Sequence, residues 1–138
     1  MPFIPAWFLH FNWSDTFYMH KTILIIDDDK DLCLLLKTHF QKQYDIVYTD
    51  HTLVSGIRKA GLLKPDVLIL DNQLPDGSGW TQVHSLHALV PAMRMVLISA
   101  YQTPKELLFE KEVPVTILSK PLSFPELDRV LSNIAVDV

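Results

Sequence analysis

The sequence predicts a single α/β domain in which a parallel five-stranded sheet carries helices on both faces. Three observations lead to this fold class. The chain has 138 residues, which suits one domain, and 49% of them are hydrophobic, which is enough for a sizeable core. Short apolar runs also alternate along the chain with segments whose apolar residues recur at helical spacing.

Five segments have the composition of short strands. An uninterrupted apolar run is typical of a strand that is covered on both faces, as strands inside a parallel sheet are. The second segment contains Tyr48 and Thr49 and is more polar, which favours a position at the edge of the sheet. In order, the predicted strands are Ile23–Ile26, Ile46–Thr49, Val67–Leu70, Met95–Ile98 and Val115–Leu118.

A helix is predicted after each strand. The second helix should end near Lys64, because the residue before a proline avoids helical backbone angles. Ser123 is a residue type that commonly caps a helix N-terminus, so the last helix should begin after it. A short fourth helix is predicted from Lys105 to Glu110 and a last one from Phe124 to Ile134. The apolar positions of the first three helices are Leu32, Leu35, Leu36 and Phe40, then Leu53, Ile57, Ala60 and Leu63, then Trp80, Val83, Leu86 and Leu89.

The connections between the strands determine the predicted topology. Strand–helix–strand crossovers are almost always right-handed, so the alternating pattern gives a parallel sheet with helices on both faces. Five strands fit the flavodoxin-like order 2-1-3-4-5. Ligands of such sheets bind at the carboxyl ends of the strands. The residues directly after the strands are therefore the first candidates for function.

Composition excludes several classes of function. Twelve Lys and Arg residues stand against 16 Asp and Glu residues, which gives a formal net charge of −4. Because no basic cluster is present, we expect no direct binding to nucleic acid or to an anionic membrane. No apolar run reaches the roughly 18 residues of a transmembrane helix. The single cysteine, Cys33, excludes an internal disulfide and a paired-cysteine zinc site, and it favours a cytoplasmic location.

Residues 1–18 differ in composition from the rest of the chain. They hold seven of the 14 aromatic residues and no Lys or Arg, so they lack the basic start of a signal peptide. We interpret them as an aromatic N-terminal tail and residues 19–138 as the domain. The tail is a wrongly assigned start, a segment that packs on the domain, or a partner-binding segment. The first interpretation is favoured because Met19 lies just before the first strand, and a chain that begins there is expected to keep its fold and function.

Side chains suited to phosphoryl transfer follow four of the predicted strands. If these strands are neighbours, carboxylates, a hydroxyl and an ammonium group meet in one crevice, where the carboxylates repel one another unless a cation binds. Hard oxygen ligands select Mg²⁺ or Mn²⁺. No Gly-x-x-x-x-Gly-Lys loop is present, so the phosphoryl donor should be small or protein-borne rather than a nucleoside triphosphate. The residues are Asp27, Asp28 and Asp29, then Asp71, then Ser99, and finally Ser119, Lys120 and Pro121.

Four sequence blocks contain these residues. They are ILIIDDD at 23–29, VLILDNQLPDGSG at 67–79, VLISA at 96–100 and LSKP at 118–121. Together they resemble the signature blocks of the response-regulator receiver domain of two-component signalling. The resemblance covers about residues 20 to 136. Four blocks in the family's order at compatible spacings make it highly specific.

The resemblance implies how the phosphoryl group would be received. Asp71 would be the phosphoacceptor, Ser99 the switch hydroxyl, and Lys120 a contact of the phosphoryl group. The family usually has a cis peptide bond before the proline that corresponds to Pro121. Receiver domains are phosphorylation-dependent switches rather than classical enzymes, although they assist their own phosphorylation and dephosphorylation.

The resemblance also implies a cofactor and partners. Mg²⁺ would be bound directly by Asp28, through water by Asp27, and further by Asp71 and the backbone carbonyl of Gln73. The phosphoryl donor would be a sensor histidine kinase, a histidine phosphotransfer protein or a small acyl phosphate. The signal would pass to a downstream protein target, an output domain or a second copy of the chain.

The chain departs from the family's pattern at the switch region. Three residues before the lysine many receivers carry Tyr or Phe, whereas this chain has Ile117, which is stiff and has no polar tip. Residues Glu112 to Pro114 stand where the family often has a Gly-Ala turn. We therefore expect phosphorylation to be read out through the segment from Ala100 to Glu112 rather than through a rotamer at Ile117.

Two other functions fit part of the pattern. A haloacid-dehalogenase-like phosphatase also places an aspartate nucleophile after its first strand, and Asp27, Asp29, Ser99 and Lys120 could mimic its catalytic set. Against it, Asp31 occupies a position where that motif has Thr or Val, and Asp71 would have no role. A receiver-like scaffold that binds partners without being phosphorylated is the third interpretation, and the intact acidic set argues against it.

Overall fold

Five parallel strands form one central sheet in this computed structural model. The structure describes Phe3, residues 21–100 and residues 113–136, and it describes side chains as far as Ser132. The strand order is β2-β1-β3-β4-β5, as predicted. The strands are β1 (Thr22–Ile26), β2 (Ile46–Asp50), β3 (Val67–Asp71), β4 (Arg94–Ser99) and β5 (Val115–Ser119).

Four α-helices connect or follow these strands within the described residues. They are α1 (Lys30–Phe40), α2 (Leu53–Leu63), α3 (Val83–Leu89) and α4 (Phe124–Val136). The helix predicted from Lys105 to Glu110 lies outside the described residues.

The helix ends follow local capping rules. Asp29 caps α1 by accepting a hydrogen bond from the backbone N–H of Leu32. Ser123 accepts one from the N–H of Glu126 at 3.4 Å, which agrees with the predicted start of the last helix. Lys64 ends α2 in a left-handed conformation with φ of 46°, directly before the proline that was predicted to stop the helix.

The core is divided by the sheet into two apolar layers. Side chains of successive strand residues point to opposite faces, so Leu24 and Ile26 belong to one layer and Ile23 and Ile25 to the other. The first layer includes residues of α2 and α3, and the second includes residues of α1 and α4. Each of these four β1 side chains is 0% exposed, as expected for a strand covered on both faces.

A short antiparallel hairpin follows β3. It pairs Gln73–Leu74 with Gly77–Ser78, so Pro75 and Asp76 form its turn. A 3₁₀ helix, Gly79–Gln82, then leads into α3. The sequence had indicated only a turn-rich loop here. This hairpin matters for the site because it begins two residues after Asp71.

The N-terminal tail, whose three interpretations are given above, lies outside the described residues apart from Phe3. Among the helices that the structure describes, none is long and apolar enough to cross a bilayer.

Candidate functional site

Three carboxylates meet at the carboxyl edge of the sheet. Asp27 and Asp28 directly follow β1, and Asp71 is the last residue of β3, which pairs with β1. One carboxylate oxygen from each of the three residues lies within 4.8 Å of the others. Asp27 and Asp71 are only 2% and 4% exposed, whereas Asp28 is exposed. The strand pairing therefore concentrates negative charge in a largely buried pocket.

Lys120 supplies the positive charge in this pocket. It follows β5, and its Nζ lies 3.2 Å from Asp27 Oδ2 and 3.4 Å from Asp71 Oδ2. The backbone N–H of Lys120 donates to the carbonyl of Ser99, and its peptide bond to Pro121 is cis, in agreement with the resemblance. Burial lowers the pKa of Lys120, but the charges of Asp27 and Asp71 outweigh burial and raise it. Lys120 is therefore an ammonium ion at neutral pH.

The Asp71 carboxyl binds its proton more tightly than an ordinary aspartate. Its pKa is raised from 3.8 to about 6, chiefly by burial and then by the charge of Asp27, and the hydrogen bond from Gln73 and the charge and hydrogen bond of Lys120 only partly oppose this rise. Without a cation, ionised Asp71 is a source of instability in the folded state.

The raised pKa of Asp71 makes the stability of the domain depend on pH. Because the folded-state pKa is above the unfolded one, the destabilisation is present above pH of about 6 and is lost as the pH falls through about 6 towards 3.8. We expect Asp71→Asn to raise the free energy of unfolding at pH 7 without Mg²⁺, by on the order of 1–3 kcal/mol. Denaturant titrations at pH 7 and pH 4 measure this. An equal gain at both pH values would contradict the electrostatic explanation.

The two other residues named from the sequence lie beside this pocket. Ser99 ends β4, is 2% exposed and follows Ile98, the residue that pairs with Asp71. The backbone N–H of Gln73 donates to Asp71 Oδ1 at 3.2 Å. All the residues that the resemblance implicated are thus at one edge of the sheet.

Two residues that contact the site were not identified from the sequence. The ring of His51 forms a 2.9 Å hydrogen bond through Nδ1 with the backbone carbonyl of Asp27, and the thiol of Cys33 donates to the same carbonyl at 3.3 Å. A carbonyl only accepts, so the His51 Nδ1 carries the proton. No sequence pattern indicated His51, whose contact depends on the adjacency of β1 and β2.

Asn72 is another such residue. It follows Asp71, is 8% exposed, and its side-chain oxygen accepts a 3.0 Å hydrogen bond from the N–H of Trp80. Its backbone carbonyl accepts another from the N–H of Gly79. These bonds fix the chain just after the Asp71 carboxylate.

The donor chemistry of the pocket fits a hard divalent cation. Carboxylate oxygens are ligands that Mg²⁺ prefers, and among the described residues Lys120 is the cation that balances the three carboxylates in the pocket. The exposed Asp28 gives the pocket an open side, where a cation can keep some of its water. Zinc is disfavoured because Cys33, the only thiol of the chain, is buried and burial raises its pKa to about 11.

Comparison with known proteins identifies the fold and the family. The family model of the response regulator receiver domain matches residues 23–132. The KDP operon transcriptional regulatory protein KdpE of Escherichia coli is 29% identical over 110 residues, which are 79% of this chain and 48% of that protein. This chain therefore spans about half the length of that curated relative.

Solved structures of response regulators have the same fold as this chain. A two-component response regulator from Clostridium difficile is 26% identical, with a TM-score of 0.74 over 83% of this chain and 95% of that one. A Burkholderia pseudomallei response regulator, solved with a phosphorylated aspartic acid and a calcium ion, is 20% identical, with a TM-score of 0.68 over 85% of this chain and 74% of that one. The second shows likeness of fold alone. By the match of its family model, this chain belongs to the response regulator receiver domain family.

Proposed function

We propose that the chain is a phosphorylation-dependent switch in which Asp71 accepts a phosphoryl group. Receiver domains are signalling domains of two-component systems, and family membership carries that general role. One observation carries the specific proposal: Lys120 Nζ lies 3.4 Å from a buried Asp71 carboxylate, in a pocket that also holds Asp27 and Asp28. The pocket thus brings together a nucleophile (Asp71), a positive charge (Lys120) and a cluster of carboxylates suited to a cation.

The proposed step transfers the phosphoryl group from a phosphohistidine or a small acyl phosphate to the carboxylate of Asp71. An oxygen of ionised Asp71 attacks the phosphorus in line, and the P–N bond of a phosphohistidine, or the P–O bond of a small acyl phosphate, breaks with its electron pair going to the donor. A departing histidine takes a proton from water. Lys120 neutralises charge on the phosphoryl oxygens, and the Ser99 hydroxyl donates to one of them.

We assign the metal to the acidic cluster. Asp28, exposed on the open side, would be a direct ligand of Mg²⁺, with Asp71 and the backbone carbonyl of Gln73, whereas Asp27 would act through water. Bound Mg²⁺ supplies positive charge that lowers the pKa of Asp71 and stabilises phosphoryl oxygens. The indirect role of Asp27 rests on the resemblance to the family, since Lys120 is an ion-pair partner of both Asp27 and Asp71.

Intact-mass measurement tests the proposal. Incubation with acetyl phosphate and Mg²⁺ should add the mass of one phosphoryl group to the wild type and none to Asp71→Asn. Chelation of Mg²⁺ should prevent the reaction in the wild type. Modification of Asp71→Asn at the wild-type rate would show that another residue is the acceptor.

A protein donor needs a docking surface near the pocket. We propose the exposed face of α1, since this helix begins three residues after Asp27 and exposes two adjacent leucines, Leu34 at 64% and Leu35 at 54%. Exposed apolar side chains that lie together are typical of protein contacts. The partner proposed for this face is the phosphohistidine-bearing donor, a sensor histidine kinase or a histidine phosphotransfer protein.

This docking surface predicts a difference between donors. The double substitution Leu34→Ser with Leu35→Ser should slow phosphoryl transfer from a phosphohistidine protein by at least about tenfold, since a central apolar contact is worth about 1–2 kcal/mol or more. The rate with acetyl phosphate should not change, because the small donor needs no docking face. The control is Leu62→Ser, which replaces an exposed leucine near the other end of α2. Equal slowing with both donors would contradict the assignment.

The output of the switch is assigned to the segment that follows β4. The segment expected to move, Ala100 to Glu112, lies outside the described residues except for Ala100. Ile117 is partly buried and packs against the apolar layer of α2 and α3. We propose that this arrangement leaves the readout to the segment after β4, which a downstream target, an output domain or a second copy of the chain would recognise.

A further inference from the structure

Asp76 joins two parts of the molecule that are far apart in sequence. It lies in the turn of the hairpin after β3, and its carboxylate accepts hydrogen bonds from the backbone N–H groups of Leu53 at 2.7 Å and Val54 at 2.9 Å. These residues form the start of α2, where backbone N–H groups have no partner within the helix. The hydrogen bonds from Val54 and Leu53 hold the pKa of Asp76 below its usual range, so it is ionised at neutral pH.

A second contact holds the hairpin against the same helix end. Gly77, which follows Asp76, has φ of 154°, a value that L side chains rarely adopt. A Cβ at Gly77 would lie 3.0 Å from Leu53 Cδ2, so the turn packs closely on the first residue of α2. The hairpin turn is thus attached to α2 by both carboxylate oxygens of Asp76 and by the close packing of Gly77 on the side chain of Leu53.

The other end of the hairpin contacts the acidic pocket. Its first residue, Gln73, pairs with Ser78 across the hairpin and donates its N–H to Asp71 Oδ1 at 3.2 Å. A continuous series of contacts therefore runs from the α2 amides through Asp76 and the hairpin to the Asp71 carboxylate. Each step is a hydrogen bond or a strand pairing between residues of defined position.

We infer that Asp76 is a positioning residue for the metal site, and that it couples cation binding at the acidic pocket to the order of the first turn of α2. The inference rests on the proposed Mg²⁺ site, in which Gln73 offers its backbone carbonyl. Without the Asp76 anchor the hairpin loses its attachment to α2, and Gln73 is held less firmly beside the metal. Coupling between two sites is reciprocal, so Mg²⁺ should in turn stabilise the α2 amides that bind Asp76.

Thr52 provides a control that separates the capping of α2 from the anchoring of the hairpin. It is the N-cap residue of α2, and its hydroxyl accepts a 3.3 Å hydrogen bond from the N–H of Ser55. Thr52→Ala therefore weakens the same helix end through a residue outside the hairpin. Asp76→Ala weakens the helix end and also frees the hairpin.

The test measures Mg²⁺ affinity by calorimetry and amide hydrogen exchange at Leu53 and Val54 in the full chain. We expect Asp76→Ala to weaken Mg²⁺ binding about tenfold, the effect typical of losing a residue that orients a ligand. Thr52→Ala should stay within about twofold of the wild type, although both variants lower the Tm. Mg²⁺ should slow exchange at Leu53 and Val54 in the wild type and in Thr52→Ala, but not in Asp76→Ala.

Asp76→Asn covers the case in which Asp76→Ala does not fold. An amide keeps one acceptor oxygen, so this variant should retain one of the two hydrogen bonds and show an intermediate loss of affinity. Equal Mg²⁺ affinity in the wild type and both Asp76 variants would overturn the inference, as would an equal loss in Thr52→Ala. Absence of Mg²⁺ binding by the wild type would instead overturn the proposed metal site, and this coupling with it.

Discussion

Replacement of Asp28 by alanine is expected to abolish measurable Mg²⁺ binding while leaving the domain folded. Asp28 contributes an oxygen to the acidic cluster and is exposed, so its removal leaves no cavity and no unpaired buried group. Loss of a residue that only orients a ligand typically costs about 10–100-fold in metal affinity. Loss of a direct ligand should exceed that range. Calorimetric titration with Mg²⁺ measures the effect, and urea denaturation checks the fold.

The charge-matched control is Asp31→Asn. Asp31 is an exposed carboxylate in the first turn of α1, outside the acidic cluster, so its removal should change Mg²⁺ affinity by no more than about twofold. Asp27→Ala should keep a weak but measurable affinity, since Asp27 is assigned to the metal through water. Equal losses in Asp27→Ala and Asp28→Ala would contradict this division of roles.

Replacement of Gly79 by alanine is expected to destabilise the domain strongly and to reduce phosphoryl acceptance. A Cβ on Gly79 would lie 2.6 Å from the backbone carbonyl oxygen of Asp71, a distance that real Cβ contacts essentially never show. The atom that must move belongs to the backbone of Asp71, the proposed phosphoacceptor. We expect a loss of about 3 kcal/mol in the free energy of unfolding, at the upper end for overpacked sites. Denaturant titration and the rate with acetyl phosphate measure the two effects.

Gly61→Ala is the matched control. The atoms nearest to a Cβ at Gly61 belong to the flexible side chain of Leu89, the closest at 3.0 Å, and alanine favours the helix by about 1 kcal/mol. Gly61→Ala should therefore leave stability nearly unchanged and the phosphorylation rate at the wild-type value. If Gly79→Ala proved as mild as Gly61→Ala, the close packing of Gly79 on Asp71 would not be a constraint.

The fold could be predicted from the sequence because its three central strands, β1, β3 and β4, are buried on both faces. Ile23–Ile26 and Val67–Leu70 are continuous apolar runs, and each was found within one residue of the observed strand at either end. The predicted ends were short where the ladder continues through polar residues, as at Asp71 and Ser99. The apolar run ends before these residues, although their backbones still pair with the neighbouring strand.

Contacts between distant loops could not be predicted from the sequence. Asp76 precedes a glycine and looks like an ordinary turn residue, yet its carboxylate binds the start of α2, more than 20 residues away. The contact of Lys120 with Asp27 was also not foreseen, since the lysine had been assigned to the phosphoryl group. Such contacts depend on how strand ends and loops meet in space, and no local periodicity reports that.

Location of the phosphorylated residue is the most direct test of the proposed function. After incubation with Mg²⁺ and a phosphoryl donor, borohydride reduction of the acyl phosphate and peptide mass spectrometry identify the modified aspartate. We predict modification at Asp71 alone. Modification at Asp27 would favour the phosphatase alternative, and the absence of any modification would favour a scaffold that binds partners without phosphorylation. Either result would contradict the proposal that Asp71 is the phosphoacceptor.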